Sequence, residues 1–168
     1  MDTKRIGNIG EAKVLSKFVE LGFPVYVPFG DNEKADLIAE FNGKLNKIQV
    51  KTTRSIVNGT IDFNLVSSTV HRKNGHKHKY SRDEVDYFAC YCVENDSIYL
   101  IPVPEQPRSG ITIRVSGSTK NNQKEGINQD SDFLIDNVLC VETLHGTTSE
   151  NEAEEKVQTT KCENNVVK

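Results

Sequence analysis

The sequence predicts an α/β domain in which a mixed β-sheet is flanked by helices. An amphipathic pattern near the N-terminus predicts a helix. Runs of β-branched and aromatic residues follow it and predict several strands, two of them joined by an Asn-Gly turn. With 168 residues, 36% of them hydrophobic, the chain is long enough for one domain with a core. We therefore expect one domain.

The helices are predicted from periodicity and from the residues that end them. Apolar side chains in the first two dozen residues recur at spacings of three and four, and Gly22 marks the end of this helix. A second helix is expected either at INQDSDFLIDN or near SRDEVD. The helices would flank the sheet.

The strands are predicted from alternating or continuous apolar runs. VYVP comes first, and ADLIAEF and LNKIQVKTT then form a hairpin around the NGK bend. The other segments predicted as strands are TIDFNLV, DYFACYCV, SIYLIPV and ITIRV, the last of them at an edge. Together they predict a mixed sheet.

Domain organisation follows from a change in composition near the C-terminus. Residues 1–145 are expected to fold, and residues 146–168 are expected to be a disordered polar tail rich in Glu, Thr and Asn. The four cysteines lack the spacing of a zinc site and are interpreted as structural thiols. The chain has no apolar run of about 18 residues and no signal-peptide core. We expect an intracellular protein, cytoplasmic or nucleoid-associated, without a membrane partner.

Four polar side chains of the first helix and the hairpin are expected to converge. Glu11 lies near the predicted helix start, Asp36 begins one hairpin strand, and Gln49 and Lys51 lie on the other strand. Positions 49 and 51 point to the same face of a strand, whereas Val50 points into the core. Position 36 and position 51 or its neighbours lie at similar distances from the bend. Hairpin pairing therefore brings them together.

These residue types are suited to metal-assisted phosphodiester hydrolysis. Two carboxylates and an amide oxygen are hard ligands of the kind that Mg²⁺ prefers, and we expect Mn²⁺ to substitute. A lysine beside them can orient or deprotonate a water, or stabilise negative charge developing on a phosphate. For Glu11 alone, an alternative interpretation is a glutamate favoured in the first turn by the helix dipole.

The segments that carry these residues resemble the PD-(D/E)XK nuclease superfamily, whose shared core is a helix followed by a hairpin with D…(D/E)-x-K. The resemblance covers about residues 6–104 and rests on GEAKVLSKFVELGFPV, DNEKADLI, KIQVKTT, YSRDEVDYFACYC and IYLIPV. It is strongest to the branch containing an intron-encoded homing endonuclease, which is similar in using Gln-x-Lys. A restriction-endonuclease-like core is therefore implied.

The resemblance also implies the roles of the site residues. Glu11 and Asp36 would be metal-site carboxylates, Lys51 the catalytic lysine, and Gln49 a further ligand. Most superfamily members have Asp or Glu in place of Gln49, and a neutral carbonyl oxygen binds a divalent ion less strongly than a carboxylate. The substitution bears on metal affinity and on the number of ions. Asp86 is interpreted as a strand-entry or turn carboxylate outside the site.

A basic segment, STVHRKNGHKHKYSR, has no acidic residue before Asp83. We predict that it contacts DNA phosphates through Arg72, Lys73, Lys77, Lys79 and Arg82. The alternative is an ordinary solvated loop. A transition-metal site at His76 and His78 is disfavoured because the flanking lysines repel cations.

The function predicted from the sequence is a Mg²⁺-dependent endonuclease that cleaves double-stranded DNA, of the homing or restriction type. Two alternatives stay open: a Holliday-junction-resolving or repair nuclease of the same superfamily, and a catalytically inactive DNA-binding module. Cleavage of a duplex by so small a chain favours a homo-oligomer, either a dimer or a tetramer.

Overall fold

The structure, a computed structural model, describes residues 2–30, 33–68, 77–115 and 127–146. The predicted polar tail lies outside the described residues from position 147 onward, and Gly146 is the last residue of a helix. In chain order the elements are α1 (Thr3–Glu20), β1 (Val25–Tyr26), β2 (Leu37–Phe41), β3 (Lys44–Thr53), β4 (Thr60–Asn64), β5 (Val66–Ser68), β6 (Lys77–Lys79), β7 (Tyr87–Cys92), β8 (Ser97–Pro102), β9 (Gly110–Arg114), a short 3-10 helix (Asp130–Asp132) and α2 (Ile135–Gly146).

Helix α1 forms where the apolar period predicts it. The Asp2 side chain caps its N-terminus by accepting a hydrogen bond from the backbone N–H of Lys4 at 3.4 Å. The buried side chains on one face include Val14 and Phe18, four residues apart. After the helix, Gly22 adopts a φ of +86°, a left-handed conformation that glycine adopts without a steric penalty. The predicted helix and its end are confirmed.

The hairpin formed by β2 and β3 follows the turn chemistry. Asn42 and Gly43 have φ values of 56° and 65°, so both central residues of the turn are left-handed, as a type I′ turn requires. The antiparallel register pairs Leu37 with Ile48 at one end and Phe41 with Lys44 at the other. Position 36 therefore lies beside positions 49 and 50, close to the predicted partner position 51.

The main sheet is mixed, with the strand order β1-β2-β3-β7-β8. Strand β3 pairs parallel to β7, and all other pairs in this sheet are antiparallel. Helices α1 and α2 pack on one face, where Val14, Ile48, Val50 and Leu139 belong to the same buried cluster. The predicted fold class, a mixed sheet flanked by helices, is confirmed.

The opposite face of the sheet carries a second core. Phe88 and Tyr99 of the sheet contribute to it, together with Phe63 of β4 and Ile113 of β9. Strands β4 and β9 form a separate two-stranded sheet, so the predicted edge strand ITIRV exists but does not extend the main sheet. The five-stranded sheet is consequently covered on both faces.

Three further expectations are decided by the described residues. Helix α2 begins inside INQDSDFLIDN, whereas SRDEVD forms a turn. Asp86 accepts hydrogen bonds from the Lys44 ammonium at 2.9 Å and from the Lys47 backbone N–H at 2.8 Å, so it fastens the entry of β7 to β3. Cys90 and Cys92 are buried free thiols, as expected, whereas Cys140 is disulfide-bonded, so the interpretation as a thiol is wrong for Cys140. Within the described part of the chain, no helix is long and apolar enough to cross a membrane.

Candidate active site

The candidate site lies at the start of β2, where the paired strand β3 extends beyond this end of β2. Strand β2 starts at Leu37, opposite Ile48, whereas β3 runs on to Thr53. From Gln49 to Thr53, β3 keeps its parallel partner β7 but has no pairing with β2. The sheet therefore opens at this point, and the opening exposes Asp36 and the C-terminal half of β3 to α1.

Asp36 directly precedes β2 and therefore lies at the edge of this opening. Its Oδ2 accepts a hydrogen bond from the backbone N–H of Val50 at 2.6 Å and a second one from the side-chain amide of Gln49. Burial raises the pKa of Asp36, although the Val50 hydrogen bond and the nearby charge of Lys51 act in the opposite direction. The carboxylate is thus held in a partly desolvated position without a full countercharge.

Glu11 approaches Asp36 from helix α1. Burial raises the pKa of Glu11, and the negative charge of Asp36 raises it further. Because α1 begins at Thr3, Glu11 lies in the third turn, and the first turn contains no acidic residue. The expectation that Glu11 lies near the helix start is therefore wrong, and the helix dipole does not account for it.

Close packing between α1 and β3 brings Glu11 to the opening. A Cβ atom at Gly10 would lie 1.9 Å from Oγ1 of Thr52, so only glycine allows the two backbones this approach. Glu11 follows Gly10 directly in the helix. The role of this glycine is invisible in the sequence pattern, where Gly10 reads only as a weak point in a helix.

The side chain of Gln49 on β3 contacts Asp36, the residue that precedes β2. It is 9% exposed, and its Nε2 atom donates to Oδ2 of Asp36 and lies 3.4 Å from the Val50 carbonyl oxygen. In this arrangement the amide nitrogen is directed towards Asp36. A cation held by Asp36 would instead favour an amide turned so that its oxygen takes that position.

Lys51 lies on the same face of β3 as Gln49, as the alternation predicts. Its ammonium is 3.4 Å from the carbonyl oxygen of Val66 and 5.0 Å from the ring centroid of Tyr80. Burial lowers the pKa of Lys51, while the negative charge of Asp36 opposes this shift. The ammonium is therefore easier to deprotonate than an ordinary surface lysine.

Tyr80 is the site neighbour that sequence reasoning missed. It is 5% exposed, and both burial and the charge of Asp36 raise its pKa. The only signal in the sequence is an aromatic residue directly after a run of basic residues. That signal does not reveal a contact with Lys51, which is 29 positions away in the sequence.

The arrangement fits a divalent cation. Burial and, to a smaller extent, the charge of Asp36 raise the Glu11 pKa, and a cation between the two carboxylates would relieve both effects. Among the described residues, no group of three or more His, Cys, Asp or Glu side chains could hold a metal. Gln49 is therefore the side chain that would complete a set of oxygen ligands with Glu11 and Asp36.

A cavity of about 510 Å³ gives access to this site. It opens between the N-terminal half of α1 and the C-terminal end of β3. The residues that line it are Thr3, Ile6, Gly7, Glu11 and residues 50–55. Glu11 and Lys51 can therefore be reached from the same open space.

The predicted DNA-binding residues divide into three groups. Arg72 and Lys73 lie outside the described residues. Lys77 and Lys79 are exposed on β6, which pairs with β5 directly beside Lys51. They alternate with His78, whose ring contacts Tyr80 and whose Nε2 lies 3.0 Å from Glu84. The basic segment predicts a loop, whereas its residues Lys77–Lys79 form the strand β6.

Arg82 occupies a different environment from Lys77 and Lys79. Its Nε donates to the Val103 carbonyl oxygen at 2.8 Å, and its guanidinium lies 3.7 Å from the Glu105 carboxylate. Arg82 thus ties the turn before β7 to the end of β8. The contribution of Arg82 to DNA binding stays a prediction. To contact a phosphate, this side chain would have to keep or exchange its contacts with Val103 and Glu105.

The chain belongs to the PD-(D/E)XK endonuclease family, whose model matches residues 1–136. The predicted superfamily is confirmed. Over 56 residues the chain is 38% identical to Protein 5.3 of Escherichia phage T7, a match that covers 33% of this chain and 48% of that protein. The matched part therefore spans about half the length of that curated relative.

A solved structure confirms the restriction-endonuclease-like fold. The chain is similar to the bacterial homing endonuclease I-Ssp6803I, with a TM-score of 0.68 and 21% sequence identity. The match covers 89% of this chain and 100% of that one. At this identity the likeness shows the fold alone.

Proposed function

We propose that this chain is a Mg²⁺-dependent endonuclease that hydrolyses phosphodiester bonds of double-stranded DNA at specific sites, as homing and restriction enzymes do. The observation that carries the proposal is the meeting of Glu11, Asp36 and Lys51 at the opening of the sheet, where burial and the charge of Asp36 raise the pKa of Glu11 and burial lowers the pKa of Lys51. The family and the fold support the same reaction class.

Glu11, Asp36 and Gln49 would hold the ion. A bound Mg²⁺, or Mn²⁺ in its place, would stabilise negative charge on the phosphate and acidify a water. Asp36 is fixed for this task by the Val50 N–H, and Gln49 lies against it. The three side chains reach the site from α1, from the residue before β2 and from β3.

Lys51 would supply the proton chemistry. Its lowered pKa makes the neutral amine more accessible than in an ordinary lysine, and Nζ can then accept a proton from the attacking water. In its charged form the same ammonium stabilises the extra negative charge on the phosphate. Both roles require Nζ to stay beside Asp36.

The DNA duplex would be held by the basic hairpin β5–β6. Lys77 and Lys79 are exposed there, and the Val66 carbonyl of the same hairpin contacts Lys51, so phosphates bound by the lysines lie close to the site. Cleavage of both strands favours a dimer or tetramer. An enzyme with this substrate would work in the cytoplasm or on the nucleoid.

The test is cleavage of a supercoiled plasmid library that carries random inserts. We expect nicked and linear products with Mg²⁺ or Mn²⁺ and none with EDTA, and sequencing of the new ends should reveal a recurrent motif. Asp36→Asn protein purified in parallel should be inactive. Equal cleavage by this variant would contradict the assignment of Asp36 to the metal site. Binding without cleavage would favour the inactive DNA-binding module, and cleavage of four-way junctions alone would favour a resolvase.

Substitutions of Gln49 should show whether this side chain is a metal ligand or is only packed against Asp36. Gln49→Glu adds a carboxylate beside Asp36, so without metal we expect a lower melting temperature, and with Mg²⁺ a larger rise than in wild type. Its cleavage activity should persist. Gln49→Leu should lose activity and stay folded, because it removes the oxygen ligand but fills similar space. Full activity of the Leu variant would show that Gln49 is only packed there.

The basic hairpin can be tested by salt dependence. Changing Lys77 and Lys79 together to Ala should reduce the slope of log affinity against log salt by about one to two, since each neutralised phosphate contributes about 0.9. Binding should be measured by fluorescence anisotropy in EDTA, which keeps the DNA intact. The control is the double change of Lys13 and Lys17 to Ala, which removes the same charge from lysines already paired with Asp96 and Asp136 on another face. Equal slopes for both double variants would refute the assignment.

A further inference from the structure

Tyr80 is a buried side chain beside the site that the proposed chemistry does not use. It directly follows β6 and is 5% exposed. The ammonium of Lys51 lies 5.0 Å from the centre of its ring. An aromatic ring attracts a cation above its face through the negative charge of its π-system, and the attraction increases when water is excluded.

Tyr80 is itself fixed from several sides. Its ring meets the ring of Phe88 at 5.7 Å and 81°, and that of His78 at 5.2 Å and 78°. The side chain of Ser67 on β5 lies near its hydroxyl and lowers its pKa, against the larger effect of burial, which raises it. A ring held in this way has a defined orientation, so it forms a rigid platform for Lys51.

Lys51 needs such a platform because its own stem is flexible. A lysine side chain has several rotatable bonds, and its rotamer freedom is lost when the ammonium is fixed. The Val66 carbonyl oxygen is 3.4 Å from Nζ, which is a long hydrogen bond. Val66 is the first residue of β5 and Tyr80 directly follows β6, and both contact the ammonium.

We propose that Tyr80 is a positioning residue whose ring holds the Lys51 ammonium beside Asp36 for the cleavage reaction. This rests on the proposed function, because positioning Lys51 accelerates cleavage only if Lys51 takes part in it. The proposal assigns the effect to the ring face and not to the hydroxyl. It also makes the basic hairpin a structural support of the catalytic lysine.

The kinetic test compares two substitutions of Tyr80. Tyr80→Phe keeps the ring, so its single-turnover cleavage rate should stay within about threefold of wild type. Tyr80→Leu removes the ring and should slow cleavage by about ten- to thirtyfold, the range expected for a desolvated cation–π contact. The Kd for DNA, measured in EDTA, should change by less than about threefold in both, since Tyr80 is buried and would not touch DNA.

The matched control is Phe63→Leu. Phe63 belongs to the same buried cluster as Tyr80 and packs on Tyr99 at 5.9 Å, so its loss imposes a similar packing defect without removing the ring beside Lys51. Its cleavage rate should stay near that of wild type. The proposal is overturned if Tyr80→Leu cleaves as fast as Phe63→Leu, or if Tyr80→Phe slows cleavage as much as Tyr80→Leu.

A second readout does not depend on cleavage. Protons above an aromatic ring are shifted upfield by its ring current, so the ε-methylene signal of Lys51 should be upfield of ordinary lysines in NMR spectra. The signal is identified by its loss in Lys51→Ala. It should persist in Tyr80→Phe and move to the ordinary position in Tyr80→Leu. An ordinary position in wild type would refute the positioning, whereas an upfield signal in a protein that never cleaves DNA would refute the proposed function alone.

Discussion

Lys51→Ala should reduce DNA cleavage by at least about a thousandfold while DNA affinity changes only a few-fold. The ammonium is partly buried beside Asp36, where it would move a proton and stabilise phosphate charge, and loss of one such group costs about a hundred- to ten-thousandfold. Affinity should survive because Lys51 is one cation among many. The measurement is a single-turnover cleavage rate together with binding in EDTA.

Lys47→Ala is the matched control for this prediction. Lys47 lies on the same strand and the same face as Lys51, but its ammonium donates to the carbonyl oxygen of Asp83 at 2.5 Å, away from the opening. Its cleavage rate should remain close to that of wild type. An active Lys51→Ala protein would end the assignment of Lys51 as the catalytic lysine.

Asp36→Asn should abolish cleavage and, without metal, stabilise the fold. The folded state raises the pKa of Asp36, so it binds a proton more readily than the unfolded chain. Stability is therefore lost as the pH rises from the ordinary value of 3.8 through the folded pKa, and the loss is complete once the pH lies above the folded pKa. Asparagine carries no charge, and its oxygen can still accept the hydrogen bonds from Val50 and Gln49.

Thermal unfolding with and without Mg²⁺ measures both effects of Asp36→Asn. In EDTA we expect its melting temperature to lie about 2–4 °C above wild type, which corresponds to about 1 kcal/mol in a chain of this size. With Mg²⁺ at about a hundred times its Kd, wild type should gain about 2.7 kcal/mol, and the variant should gain much less. Glu40→Gln, on the strand β2 that follows Asp36 but in contact with Tyr26, should respond to Mg²⁺ as wild type does. An Asp36→Asn protein that cleaves DNA, or gains as much stability as wild type, would contradict the metal site.

Local sequence chemistry was sufficient for the elements that carry the site. The apolar period predicted α1, the Asn-Gly pair predicted the β2–β3 turn, and alternation placed Gln49 and Lys51 on one face. These features depend on residues a few positions apart, so they can be read from the chain directly. The convergence of Asp36 with β3 followed for the same reason, because a short turn fixes the register of a hairpin.

Contacts between distant segments could not be read in this way. The parallel pairing of β3 with β7 joins segments about 40 residues apart, and no short-range pattern specifies it. The same holds for the approach of Gly10 to Thr52, which delivers Glu11, and for the ring of Tyr80 beside Lys51. The charge of the basic segment can be read from the sequence, but the pairing of its strand β6 with β5 cannot.

The sequence by itself therefore determined which residues are chemically suited to act and which strand face they share. The tertiary structure decided where the sheet opens, how closely α1 approaches it and what surrounds the Lys51 ammonium. The physical reason is that periodicity and turn chemistry are set by neighbouring residues, whereas desolvation and the shifted pKa values of Glu11, Asp36 and Lys51 arise only when distant segments exclude water together.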